Sequence, residues 1–150
     1  MIAWRAVFAL LAVAACSRGP AGPAPLDPRV ESCASCRMAV SDARFAAQLD
    51  VPSEEPRFFD DVGCLRDWLA AHPRPPRGAV AWVADHRTKA WVRAARAVYA
   101  EAPMTETPMA SHLLAFGDAA SRAADPASAG ARQLGPRDLF GPAGPPDGAP

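Results

Sequence analysis

The chain has 150 residues with a formal net charge of zero at pH 7; half of its residues are hydrophobic and 21% are charged. That is enough apolar material for one buried core and too little length for two large domains, and it excludes a wholly disordered or collagen-like protein. Basic and acidic residues balance at 16 each, so there is no positive field to hold phosphates, and no nucleic acid is expected as a partner.

The chain opens Met1-Ile2-Ala3-Trp4-Arg5, then runs apolar from residue 6 to 15 and reaches Cys16. One positive residue before ten apolar ones reads as a secretory signal over residues 1–15. The run is too short to cross a bilayer, which takes roughly 20 residues. Small residues, Val13-Ala14-Ala15, stand before Cys16, and this boundary resembles the lipobox of bacterial lipoproteins. That resemblance implies a lipid on Cys16, an anchor in the cell envelope and a domain facing the periplasm, with Ser17 favouring the outer membrane. The alternative is an ordinary signal peptide cut elsewhere.

Residues 16–28 are rich in Pro and Gly and read as a tether with too few apolar groups to pack. A domain is expected over 29–125. Residues Phe45, Ala47, Leu49 and Val51 alternate as in a half-buried strand, and Arg57–Phe59 forms a short second one. Asp60 or Asp61 then caps a helix that runs to about His72 and stops at Pro73, with Cys64, Leu65, Trp68 and Leu69 as its apolar stripe. Ala79–Ala84 and Lys89–Ala94 are strand-like and joined by four polar residues, as in a hairpin. Further strands are expected over Ala97–Ala100 and His112–Phe116, followed by an Ala-rich helix capped by Asp118 and ending at Ala124. The fold class is α+β, a small, mainly antiparallel sheet with one or two helices. Residues 126–150, with six prolines and five glycines, read as a disordered tail.

Beyond Cys16, three cysteines remain: Cys33, Cys36 and Cys64. The Cys33-x-x-Cys36 pair is compatible with a local disulfide, a redox couple or half of a metal site. A redox couple is expected to open a helix, and the flanks offer no strong helix start. Zinc would want a second Cys or His pair at matching spacing, and His72, His86 and His112 are far apart in sequence. Met38 follows Cys36 by two, and in an extended segment a thiolate and a thioether at that spacing share a side, a pairing that suits Cu(I). Met109 and His112, beside Pro108, add a thioether and an imidazole, with Met104 a weaker candidate. Cys64 is either core filling or a thiol facing a metal from below. Asp60 and Asp61 read as capping and first-turn charge. Nothing pairs a nucleophile with a base or cradles a phosphate, so an enzyme is not expected.

Together these segments resemble the NosL family of lipoprotein copper chaperones linked to assembly of nitrous oxide reductase. The resemblance covers about residues 31–120. It rests on Cys33-x-x-Cys36-x-Met38-x-Val40, Phe59-Asp60-Asp61-x-Gly63-Cys64-x-x-Trp68-Leu69, the hairpin from Trp82-Val83-x-Asp85 to Trp91, and Thr107-Pro108-Met109 leading to Ala115-Phe116. It implies ββαβ-type units and Cu(I) as cargo. The donors implied are Cys36, Met38 or Met109, and His112, with Cys33 undecided between ligand and disulfide partner. The implied partner is a client cuproenzyme, such as nitrous oxide reductase, or its maturation proteins. Arg37 stands where the family usually has glycine. That departure predicts a more extended backbone there, and a cation that favours the Cys36 thiolate.

Overall fold

The computed structural model describes residues 22–148. The signal segment and Cys16 lie outside them, and among the described residues no helix is long and apolar enough to cross a membrane.

Two antiparallel sheets are built on one plan. Strand β1 (Ala47–Asp50) pairs on one side with β2 (Arg57–Phe59) and on the other with β3 (Val80–Ala84); helix α1 (Val62–Ala71) connects β2 to β3, and β4 (Trp91–Arg93) extends the sheet to the order β2-β1-β3-β4. The second half repeats this. Strand β5 (Val98–Glu101) is central, paired with β6 (Leu113–Phe116) and β7 (Arg132–Leu134), and helix α2 (Ala119–Ala123) lies between β6 and β7. The fold is therefore α+β with two ββαβ units, although the strands form two small sheets and a third helix, α3 (Pro136–Phe140), follows β7.

The main core draws on both units: Leu49, Phe58, Phe59, Val62 and Leu65 from the first, and Tyr99, Leu113 and Ala115 from the second. Strand β6 shows the period-two logic directly. Leu113 and Ala115 face this core, while Leu114 and Phe116 face a smaller cluster with Phe45, Ala100 and Ala102. The buried Tyr99 hydroxyl donates to the Ala94 carbonyl at 2.7 Å, which satisfies both groups away from water. Buried His86 sits over the smaller cluster. Its Nδ1 meets the Asp125 carboxylate at 2.7 Å and its ring tilts against Phe45.

Two expectations about the chain ends fail. The tether does pack from residue 24 on: Ala24 and Leu26 lie against the core, and Gln48, fully buried, accepts from the Ala24 amide and donates back to its carbonyl. The reading of 126–150 as a disordered tail is also corrected. Strand β7 is the closing strand of the second ββαβ unit, and α3 turns Leu139 and Phe140 onto the core, with Phe140 edge-on to Tyr99. The chain then bridges to β3 at Val80↔Asp147, where Arg93 holds the Asp147 carboxylate at 2.8 Å. Proline and glycine here shape a strap that follows the sheet edge instead of leaving it.

Candidate metal centre

Residues 32–39 form a small hairpin closed by a Ser32↔Ala39 bridge, with the Cys33 amide donating to the Met38 carbonyl and the Arg37 amide to the Cys33 carbonyl. The turn requires a left-handed residue at position 37, and Arg37 adopts φ +68°. Backbone hydrogen bonding thus imposes the glycine-type turn on arginine, and the extended backbone expected there is not found. The strain is on the order of 1 kcal/mol. With a turn in place of an extended segment, the same-side argument linking Cys36 to Met38 no longer applies. Met38 is 59% exposed, while the Cys36 thiol turns inward.

Inside the turn the Cys36 amide points at the Cys33 sulfur at 3.4 Å, a contact that stabilises negative charge on that sulfur. Cys33 is 1% exposed and Cys36 half-buried. The segment is held against the first unit by the Ala34 amide, which donates to the Phe58 carbonyl at 2.8 Å. Immediately beyond Phe58, the chain turns at Asp60 into α1.

Helix α1 brings the second half of the cluster. Asp61 is its N-cap, extended at φ −147° and accepting from the Gly63 amide at 2.6 Å, so Asp61 and not Asp60 is the cap. Asp60 is left free to face the thiols, and the Cys36 sulfur donates to both of its carboxylate oxygens at 3.4 Å. Cys64, in the first turn, is buried beside them. Ligand atoms of Cys33, Cys36, Asp60 and Cys64 all lie within 4.8 Å of one another. This Asp60-x-x-x-Cys64 pair is the second half of the candidate site, which the spacing of histidines and Cys-x-x-Cys pairs did not reveal. Its signal in the sequence was an aspartate and a cysteine one helical turn apart at a helix start. All three thiols are free.

Burial dominates the electrostatics. It pushes the Cys36 thiol above the ordinary range, and the neighbouring Cys33 and Asp60 side chains add to that rise against a lowering contribution from the Met38 backbone. Cys64 is pushed far higher, again by burial first and then by Asp60 and Cys33. Arg37 is exposed to solvent, so the expected lowering of the Cys36 thiol by its cation is corrected to a rise. Metal-free, Cys36 and Cys64 favour the protonated thiol; an incoming cation displaces those protons.

Met109 and His112 occupy the loop between β5 and β6. The Met109 amide donates to Asp61 at 3.1 Å, and the Ser111 hydroxyl donates to the same carboxylate, which places this loop against the start of α1. His112, at φ +56°, donates from its backbone to Thr107 Oγ1, and its ring Nδ1 donates to the Thr105 carbonyl at 2.9 Å. His112 is not among the four clustered residues. Met109 is 44% exposed and Met104 97% exposed.

A family model described as NosL matches residues 23–131. No curated protein matches the chain, and no solved structure does.

Proposed function

The chain belongs to the NosL family, and from that premise we propose that it is a non-catalytic Cu(I) carrier held at the cell envelope by a lipid on Cys16. One observation carries the reading: three thiols and a carboxylate from two segments of the chain converge within 4.8 Å. Sulfur-rich donors select soft monovalent copper over harder ions.

In this reading Cys33, Cys36 and Cys64 bind the ion as thiolates. Asp60 completes the shell as an oxygen donor. Met38, Met109 and His112 stand on adjoining loops as neutral donors through which the ion enters and leaves. Low coordination number and neutral outer donors let a client's ligands attach before the carrier's detach, so copper passes without being released to water. The recipient is an envelope cuproenzyme, nitrous oxide reductase or one of its maturation proteins being the client that the family suggests.

A second reading rests on the oxygen donor. Three cysteines and an aspartate also make a closed tetrahedral zinc site. Parallel competition titrations with chromophoric chelators for Cu(I) and Zn(II) decide between them. Preferential Cu(I) binding that is lost in Cys36→Ser supports the carrier. Tighter zinc binding with no measurable Cu(I) affinity overturns it.

A further inference from the structure

The carboxylate of Asp61 is not among the clustered ligand atoms, and it does more than cap a helix. It is fully buried, and it accepts from the Gly63 amide and the Ser111 hydroxyl through Oδ1 and from the Met109 amide through Oδ2. The loop it holds is itself cross-tied. Ser111 Oγ accepts from the Leu113 amide, Thr107 Oγ1 accepts from the His112 amide, and the His112 ring donates to Thr105. Two non-glycine residues, Ala110 and His112, are left-handed within three positions, a strain that the surrounding bonds must sustain. Close packing seals the junction: a methyl group at Gly63 would stand 2.6 Å from the Ser111 Cβ. Gly63 is in ordinary helical backbone, so the glycine there serves the approach of the loop and not the conformation of the helix.

We infer that Asp61, with Gly63 and Ser111, is a positioning latch that seats the Met109–His112 segment beside the thiol cluster and thereby sets how fast the bound ion exchanges. Adjacent aspartates divide the work: Asp60 faces the ligand sulfurs and Asp61 faces the loop. Opening the latch lets the loop leave without disturbing Cys33, Cys36 or Cys64, so exchange quickens while the thiol site persists. This inference rests on the copper-carrier reading.

Two substitutions separate the latch from the cap. Asp61→Asn keeps an oxygen for Gly63 and Ser111, and asparagine is as good a cap as aspartate; it turns an amide toward the Met109 N–H and breaks that bond alone. Gly63→Ala removes no polar group and favours the helix, but drives Ser111 off its seat. The Cu(I)-loaded protein is mixed with excess chromophoric chelator and the transfer rate read by stopped flow, with thermal unfolding of the metal-free protein alongside. Expected is transfer about tenfold faster in both variants, the scale of one lost hydrogen bond to a charged group, with the number of sulfur scatterers at copper unchanged in X-ray absorption. Rates equal to the parent's in both folded variants overturn the latch. A parent that takes up no Cu(I) overturns the carrier reading instead, and so distinguishes the two failures. Should Asp61→Asn fail to fold, Gly63→Ala and Ser111→Ala decide by the same rate.

Discussion

At the scale of single residues, the cluster makes its members unequal in what they reveal. Cys33, Cys36 and Cys64 each contribute a sulfur within 4.8 Å of the others, so replacing any one by serine is expected to lower Cu(I) affinity at least tenfold in a chelator competition. Met104→Leu, at a fully solvated turn, leaves it unchanged. The raised thiols of Cys36 and Cys64 fix the direction of the pH response. Each must shed its proton to the solvent when the ion binds, so affinity rises with pH from 6 to 9, by about one decade per unit for each proton displaced. Without metal the sign for stability is opposite. Groups raised in the folded state support it below the unfolded thiol value of about 8.5 and cease to do so as pH rises toward their folded values. Urea unfolding of the metal-free protein at pH 7 and pH 10 is expected to give the lower stability at pH 10. The two cysteines of the Cys-x-x-Cys pair were legible in the sequence because their spacing is short. Cys64 was legible as a helix-stripe residue with a metal-facing alternative, and Asp60 as capping or first-turn charge, since nothing local tells a buried thiol which neighbours fold against it. Arg37 was misjudged because hydrogen bonds across the hairpin, at Cys33 and Met38, override its reluctance to enter a left-handed turn.

Among the elements, strands and helices whose own pattern carries them were read closely. Alternation gave β1, and the caps expected at Asp60 or Asp61 and at Asp118 gave the starts of α1 and α2. Strand β7 was missed because two of its three residues face solvent; it exists by pairing with β5, a long-range cause that periodicity does not contain. Helix α3 was hidden by proline and glycine on both sides, though Pro136 opens it and Asp138 receives the Gly135 amide at 2.7 Å. These late elements are structural, and their loss has a measurable size. Phe140→Ala strips an edge-on contact from Tyr99 at 5.7 Å and is expected to cost about 2 kcal/mol in denaturant unfolding. Unchanged stability would mean that α3 contributes nothing to the core.

Over the whole molecule, the cluster and the loop beside it belong to three stretches of chain. The amino-terminal hairpin supplies Cys33 and Cys36, the first ββαβ unit supplies Asp60 and Cys64, and the β5–β6 loop of the second unit docks on Asp61. An ion that ties the hairpin to the first unit stabilises the fold by mass action, by about 2.7 kcal/mol at a free concentration a hundredfold above Kd, or a melting shift of roughly 5–10 °C. The most direct test is X-ray absorption at the copper edge of the Cu(I)-loaded protein, compared with Cys64→Ser. The account predicts a sulfur-dominated shell that loses one sulfur scatterer in the variant. A shell identical in both proteins, or a parent that binds no Cu(I), would contradict it.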